Sequence, residues 1–322
     1  MIRQVDQEAA MEQRVWHKQY DAGVPSTIEV PEIALHTFLE QSAQAYPDRT
    51  CTVFKGAKLS YREMDQVTDR LAAGLVAGGV KKGDRVAIFM PNSPQFVIAF
   101  FGILKAGGVV VATNPLYTPR EIEHQMNDSG SEIMLVMSNF YQKVKQVQPN
   151  TGLRKLVVTN IKEYLPPLMR ILFTLAKERS GGHRIQLRPG DERLQDLLSQ
   201  HTSAQRPKLS IGPADTALFQ YTGGTTGVSK GAVGTHRSLV ANTLQCRTWL
   251  KGVEQPAGGD VTLLALPLFH AYGLIVGMMS SIEAGAAMVL IPNPRDLKDV
   301  LTSIDRYRPS LYPGVPTMYN AI

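Results

Sequence analysis

Short apolar runs alternate with longer amphipathic segments through the first half of the chain. The short runs predict β-strands, whereas segments that repeat apolar residues at helical spacing predict α-helices. The predicted strands are 86–90, 109–112, 133–137 and 156–159, after a hairpin at 52–61, and the predicted helices are 62–77, 94–105 and 119–130. This alternation is typical of βαβ units, in which helices cover a parallel sheet.

A segment rich in Gly and Pro at 178–215 interrupts the pattern and predicts a linker with one short helix. The second half resumes with strands at 217–221, 261–266 and 287–291 and with helices from residue 239 and at 297–307. Residues 261–282 carry no charged side chain and are about long enough to cross a bilayer. Because Pro267 and His270 interrupt them, we interpret them as a buried strand followed by a turn and a core helix.

The fold class expected from these elements is α/β, with two stacked α/β subdomains whose mostly parallel sheets are covered by helices. The predicted bounds are an N-terminal arm at 1–30, a first subdomain at 31–208 and a second subdomain at 209–322. The last predicted helix begins near Pro316, and the sequence stops at Ile322. We therefore expect the second subdomain to be truncated at its C-terminal end.

The composition is that of a globular protein, with 43% hydrophobic and 19% charged residues. The net charge of +6 fits phosphate-bearing ligands but is too small for a nucleic-acid-binding tail, so no nucleic-acid partner is predicted. Cys51 and Cys246 lack metal-ligand spacing, which favours a reducing compartment. Acidic residues stand near the N-terminus where a secretory signal needs an apolar run, so the cytoplasm is the expected location.

The most informative segment is 221–231, where glycine, threonine and lysine follow a predicted strand. Glycines let successive backbone N–H groups point at one anion, threonine hydroxyls add donors, and a lysine adds positive charge. The segment therefore predicts a phosphate-binding loop. Its candidate ATP- and phosphate-binding residues are Thr222, Gly223, Gly224, Thr225, Thr226, Gly227 and Lys230.

Two other interpretations of this segment remain open at the level of sequence. It is not a Walker A loop, because Val228 and Ser229 separate the last glycine from Lys230. Residues 227–231 do match the nucleophile elbow of α/β-hydrolases, with Ser229 as the nucleophile. However, five Gly and Thr residues separate that motif from the strand, which disfavours a hydrolase. An unliganded glycine-rich turn is the other alternative.

Residues 222–231 resemble the phosphate-loop signature of the acyl-adenylate-forming ligases, with Ser229 where many members have Pro. Other segments resemble the same family, and two of them, 114–118 and 127–130, are particularly similar to the long-chain fatty acyl-CoA synthetases. The remaining similar segments are 59–63, 82–87, 90–93 and 266–270. The resemblance thus extends across most of the chain.

The resemblance implies activation of a fatty, long-chain carboxylic acid with ATP to acyl-AMP, followed by transfer to CoA, so the implied partners are ATP, Mg²⁺, a fatty acid and CoA. It implies that residues 222–230 hold the β and γ phosphates and that Thr222 approaches the metal ion. An aryl-CoA ligase, an acyl-AMP ligase and a non-catalytic ATP-binding module are the alternatives. The sequence predicts no particular oligomeric state.

The same resemblance gives catalytic roles to Lys230 and to His270, which ends the segment at 266–270 and is expected beside the acyl carboxylate. A hydrogen-bonded core histidine is the other interpretation of His270, and His236 is equally ambiguous. The apolar segment after His270 suggests an acyl pocket, although apolar stripes are as often plain core. The candidate pocket residues are Tyr272, Gly273, Leu274, Gly314 and Val315.

Residues 165–177 form an amphipathic segment with several leucines on one side. From 162 to 208 there are nine Lys and Arg against five Asp and Glu, so peripheral contact with the anionic inner face of a membrane is one hypothesis. A solvated helix that packs on the sheet is the other.

Several elements of the family are expected beyond Ile322. They are a glutamate for Mg²⁺, an aspartate for the ribose, a hinge and a mobile C-terminal domain with a catalytic lysine. We therefore expect these 322 residues alone to form acyl-CoA at no useful rate.

Overall fold

The structure is a computed structural model that describes residues 14–222, 228–250 and 259–322. The strands are β1 (Thr50–Phe54), β2 (Ala57–Ser60), β3 (Arg85–Phe89), β4 (Val109–Ala112), β5 (Ile133–Met137), β6 (Lys155–Thr159), β7 (Glu192–Arg193), β8 (Thr216–Thr222), β9 (Lys230–Thr235), β10 (Val261–Leu264) and β11 (Ala287–Leu290). The α-helices are α1 (Thr37–Ala45), α2 (Tyr61–Ala77), α3 (Pro94–Lys105), α4 (Pro119–Ser129), α5 (Tyr141–Val147), α6 (Pro167–Ala176), α7 (Leu194–Ser199), α8 (His236–Leu250), α9 (Ser280–Glu283), α10 (Leu297–Tyr307) and α11 (Pro316–Tyr319). A π-helix at Gly273–Met279 precedes α9, and short 3₁₀ turns lie at Val15–Gln19, Ser138–Phe140, Gln148–Asn150, Ile161–Tyr164 and Ser203–Gln205.

The larger sheet has seven strands in the order β7-β6-β5-β3-β4-β8-β9. Neighbouring strands from β7 to β8 are parallel, and β9 is antiparallel to β8 at one edge. The central strands are buried on both faces, which is why they appear as unbroken apolar runs in the sequence. The predicted α/β class with mostly parallel sheets is confirmed.

The smaller sheet has the order β10-β11-β1-β2, with β2 antiparallel and the other strands parallel. A two-residue turn joins β1 to β2, and both of its residues, Lys55 and Gly56, have positive φ. This is the backbone of a type I′ turn, which matches the twist of paired strands and confirms the predicted hairpin.

Each sheet takes strands from both sides of residue 208. Strands β8 and β9 join the sheet built mainly from the first half, whereas β1 and β2 pair with β11 from the second half. A division of the chain at residues 208 and 209 therefore does not separate the two sheets. The predicted domain bounds stay a prediction, since strand order alone does not set them.

Strand β9 is absent from the sequence-based prediction, which expects the 222–231 loop to lead directly into a helix. Its sequence contains two glycines and little apolar alternation, and Val233 is 62% exposed. Pairing with β8 along the edge of the sheet supplies the hydrogen bonds that hold it. The following helix, α8, begins at His236, three residues earlier than expected.

Residues 261–282 fold as predicted into a buried strand, a turn and a core helical segment. Within the described ranges, no helix is long and apolar enough to cross a membrane.

Helix α3 is buried on all sides, because every one of its residues is inaccessible to solvent. It contacts β3 and β4 of the larger sheet and β1 of the smaller sheet. The main hydrophobic core accordingly includes side chains from both sheets and from α3. Each fully buried Phe or Leu contributes about 1.5–3 kcal/mol, so this helix is a principal source of cohesion between the sheets.

Lys105, the last residue of α3, has a fully buried side chain. Its Nζ lies 2.6 Å from Asp65 Oδ1 and 2.7 Å from Asp69 Oδ1, both on α2. A buried ammonium is tolerated only when it is paired, so these two carboxylates fix how α2 packs on α3.

We predict that Lys105→Met lowers the free energy of unfolding by about 3 kcal/mol, because two partly buried carboxylates lose their shared cation. Urea denaturation of the wild type and the variant measures this change. Lys82→Met is the matched control, since its ion pair with Asp215 is more exposed and is expected to contribute less than about 1 kcal/mol. Equal losses in both variants would contradict the assignment.

Candidate functional site

The carboxyl ends of four strands from the two sheets meet at one cleft of about 160 Å³. Asn92 follows β3, Pro115 follows β4, Phe269 follows β10 and Arg295 follows β11, and all four residues line this cleft. Parallel sheets bind ligands beyond the carboxyl ends of their strands. We therefore expect the ligand site at this edge.

Thr222 and Lys230 form the stem of the predicted phosphate loop. They are cross-strand partners in the antiparallel pair β8 and β9, and both side chains are exposed. A hydroxyl donor and an ammonium group thus stand side by side at the carboxyl end of β8, an arrangement that suits a phosphate. The predicted loop residues Gly223, Gly224, Thr225, Thr226 and Gly227 lie outside the described residues.

The loop stem is tied to helix α4 and to the segment before it. Tyr221 Oη donates to Asp128 Oδ2 at 2.6 Å, and His124 Nε2 lies 3.0 Å from the carbonyl oxygen of Ser229. Burial raises the pKa of Tyr117, and a hydrogen bond to the Ser229 side chain partly offsets that rise. These contacts hold both sides of the stem against the body of the larger sheet.

The environment of Ser229 does not match a nucleophile elbow. An elbow serine stands on a tight turn from a strand into a helix, whereas Ser229 leads into β9 of an antiparallel pair. The neighbouring His124 contacts the backbone carbonyl of Ser229. Among the described hydrogen bonds, none joins the His124 ring to the Ser229 hydroxyl. The hydrolase alternative is therefore wrong, because β9 replaces the expected helix.

His270 lies in a tight turn beyond β10 and is exposed. Its backbone N–H donates to the Pro267 carbonyl at 3.1 Å, and its ring centroid lies 4.5 Å from that of Phe269. Desolvation of the ring lowers the pKa of His270 below its usual value. The imidazole is therefore neutral near pH 7 and offers one N–H donor without adding a positive charge.

The segment that carries His270 is held against β8. Gln220 Nε2 donates to the Phe269 carbonyl at 2.8 Å. Gln220 and Thr222 are two residues apart on one strand, so their side chains leave the same face of the sheet. The structure therefore brings the neighbourhood of His270 to the face on which the Thr222 hydroxyl stands.

A second amide, on Asn92 after β3, holds the same segment. Asn92 is 4% exposed, and its Nδ2 donates to the carbonyls of Leu264 at 3.0 Å and Leu266 at 2.8 Å. Its Oδ1 accepts from the Leu268 N–H at 2.9 Å. Sequence reasoning missed Asn92 and Gln220, although Asn92 lies in the family-like segment 90–93, because their partners are distant in the chain.

The predicted acyl-pocket residues fall into two groups. Tyr272 and Gly314 both neighbour Tyr319, whose ring would lie 2.7 Å from a Cβ placed on Gly314, and Val315 is partly exposed beside them. Gly273 and Leu274 are buried instead in the π-helix, where a Cβ on Gly273 would lie 2.3 Å from the Pro267 carbonyl oxygen. The structure thus gathers Tyr272, Gly314 and Val315, and an acyl role for the set stays a prediction.

His236 is a core histidine at the start of α8. Its Nδ1 accepts from the Leu35 N–H at 2.9 Å, and burial lowers its pKa to about 4. This geometry resolves the ambiguity of the sequence in favour of a packing role.

The residues near the stem fit Mg²⁺ only as a companion of a bound nucleotide. Thr222 offers a single hydroxyl oxygen, and the described part of the chain contains no group of three His, Cys, Asp or Glu side chains that could hold a metal ion. Mg²⁺ commonly takes most of its ligands from phosphates and water. Thr222 could therefore supply one ligand to an ion that arrives with ATP.

Comparison with known proteins agrees with this geometry. The family described as AMP-binding enzyme matches residues 39–322. A long-chain-fatty-acid–CoA ligase from Bacillus subtilis (strain 168) is 35% identical over 308 residues, which cover 95% of this chain and 54% of the relative. The chain thus spans about half the length of the curated relatives it matches.

Solved structures show the same fold. A long-chain-fatty-acid–CoA ligase from Archaeoglobus fulgidus gives a TM-score of 0.76 at 24% identity, with 94% of this chain and 55% of that chain covered. An anthranilate CoA ligase in complex with anthranoyl-AMP gives a TM-score of 0.75 at 22% identity, with 91% and 52% covered. Because the family match spans most of the sequence and the expected fold is present, the chain belongs to the AMP-binding enzyme family.

Proposed function

We propose that this chain forms the ATP-binding part of a ligase that activates a long-chain fatty acid to acyl-AMP and then transfers the acyl group to CoA. The observation that carries the proposal is the pairing of Thr222 with Lys230 at the end of β8, with the His270 segment bonded to the same strand. The relatives named as long-chain-fatty-acid–CoA ligases support the acyl class.

The proposed reaction brings two anions together. A carboxylate oxygen attacks the α-phosphorus of ATP, a C–O–P linkage forms, and the bond from the α-phosphorus to the β-phosphate oxygen breaks to release pyrophosphate. Lys230 neutralises charge on the phosphates, and the Thr222 hydroxyl donates to a phosphate oxygen. Mg²⁺, when bound with the nucleotide, adds further neutralisation.

The neutral His270 is suited to the other reactant. A cationic imidazole would hold the carboxylate as an ion pair and reduce its nucleophilicity, whereas a neutral N–H donates one hydrogen bond and orients it. The lowered pKa of His270 keeps this form at neutral pH. In the second step the CoA thiol attacks the acyl carbon, and AMP leaves.

An aromatic acid is the principal alternative substrate. The structural neighbour that binds anthranoyl-AMP shows that this fold is shared with an anthranilate CoA ligase. A panel of fatty and aromatic acids assayed with and without CoA separates these acyl classes and also identifies an acyl-AMP ligase.

We predict that Lys230→Ala in a full-length protein carrying this chain slows ATP–pyrophosphate exchange by a hundredfold or more, because a charged donor to the phosphates is lost. Ser229→Ala is expected to slow exchange less than tenfold, since it removes only a neutral contact to Tyr117. Lys298→Ala, at an exposed position on α10, is the control. A larger loss in Ser229→Ala than in Lys230→Ala would contradict the mechanism.

We further propose that α6 contacts an anionic lipid surface. Four large apolar side chains on this helix, Leu168, Ile171, Leu172 and Leu175, are each more than half exposed. Phe173, on the same helix, is partly buried against the core, a contact that the alternative of a solvated helix packed on the sheet also predicts. The spacing of three and four residues places the four exposed apolar side chains on one face of the helix.

Exposed positive charge accompanies this apolar face. Arg170, Lys177, Arg179, Arg184 and Arg188 are exposed, and none of them forms an ion pair with a described carboxylate. The nearby Glu163 accepts a hydrogen bond from Thr159, and Glu178 is paired with Lys162, so both acids are already engaged. An exposed apolar helical face in a segment rich in exposed cations is the chemistry that anionic membranes bind.

We predict that Leu172→Asn/Leu175→Asn lowers binding to phosphatidylglycerol vesicles by about tenfold or more, because two side chains lose their burial in the lipid. Vesicle sedimentation measures the bound fraction. Leu301→Asn, an exposed leucine on α10, is the control. Equal binding by the double variant and the wild type, or equal binding to neutral phosphatidylcholine vesicles, would contradict the proposal.

A further inference from the structure

The segment that carries His270 begins in the smaller sheet, whereas Thr222 and Lys230 belong to the larger sheet. Residues 265–272 form no strand of either sheet, so sheet hydrogen bonds do not fix where His270 stands relative to the phosphate loop. Packing of Leu268 and Phe269 in the main core holds the segment, and side-chain bonds between the sheets add direction to that constraint. Among the described residues, Asn92 and Gln220 supply those bonds.

The Asn92 side chain is used completely on this segment. It follows β3 of the larger sheet, and its two N–H bonds and one accepted bond engage three alternate residues, Leu264, Leu266 and Leu268. Only an amide of this length offers donors and an acceptor together. An aspartate would place a carboxylate against two carbonyl oxygens, which repel it.

Gln220 fixes the next residue of the same segment. Its Nε2 bonds to the Phe269 carbonyl, which belongs to the peptide that leads into His270. Asn92 therefore holds the start of the segment from β3, and Gln220 holds its end from β8. The two amides span the boundary between the sheets at the shared carboxyl edge.

We propose that Asn92 and Gln220 are positioning residues that set His270 relative to the phosphate-binding end of β8. This inference rests on the proposed function, because it assigns the amides an effect on adenylate formation through His270. A displacement of about 1 Å in a reacting group can cost on the order of a hundredfold in rate. The loss of a hydrogen bond at the peptide next to His270 is therefore expected to slow the reaction.

The test uses Gln220→Met, which keeps the side-chain length and removes the donor, in a full-length protein carrying this chain. We expect kcat for ATP–pyrophosphate exchange to fall about ten- to a hundredfold, with KM for Mg·ATP unchanged within twofold. Asn127→Ala is the matched control, because it removes an amide bond to a backbone carbonyl at the exposed end of α4. Asn92→Ala provides a second variant.

A double-mutant cycle separates positioning from general damage. If Gln220 acts through His270, then Gln220→Met/His270→Ala is no slower than His270→Ala alone. Multiplicative losses in the double variant would overturn the proposal. If His270→Ala and Lys230→Ala both retain full exchange activity, the proposed function fails instead.

An NMR titration of His270 tests the positioning role of Gln220 without any enzymatic assay. Release of the segment should hydrate the partly desolvated ring more fully, so the pKa of His270 should rise toward its usual value in Gln220→Met and stay unchanged in Asn127→Ala. An unchanged titration in a folded Gln220→Met variant would overturn the positioning role, whatever the activity results.

Discussion

Burial of α3 between the two sheets is the constraint on which the site depends. The helix has no solvent-exposed face, and it touches strands of both sheets. Because α3 follows β3 through the short turn that contains Asn92, its position also fixes that turn. The packing thereby brings the carboxyl ends of β3 and β4 beside those of β10 and β11 and creates one common edge from two sheets.

The chemistry at that edge follows from how few charges it holds. Among the described residues discussed for the site, Lys230 and Arg295 are the cations and His270 is neutral, so the edge offers two different kinds of donor. In the proposed reaction, Lys230 offers full charge to the phosphates, which carry most of the negative charge. In the same proposal, His270 orients the carboxylate, whose lone pair must remain available for attack. The proposed separation of the two roles is possible because Lys230 belongs to the larger sheet, whereas His270 lies on the segment that follows β10 of the smaller sheet.

The regular elements of the fold were largely readable from sequence. The bounds of α3 and β4 agree with the predicted ones, and Thr118 caps α4 through a capping box with Glu121. These features are local, since burial on both faces or a three-residue spacing produces them. The sequence also singled out the phosphate loop and His270, because they stand in recognisable segments, and their roles stay predictions.

The remaining features depend on contacts between distant residues. Strand β9 has a weak local pattern and exists through its pairing with β8. Asn92 meets partners more than 170 residues away, a relationship that no spacing rule contains. The exposure of α6 was equally hidden, because an apolar helical face looks the same in sequence whether it packs on a sheet or faces solvent.

The central claim is that the shared carboxyl edge binds the nucleotide between the loop stem and the His270 segment. The most direct measurement is a titration of the isotope-labelled chain with millimolar Mg·ATP, followed residue by residue through its amide NMR signals. The account predicts the largest shifts at Thr222, Lys230 and His270. Shifts confined to the polar cleft around Lys82 and His236, at the opposite ends of the strands, would contradict it.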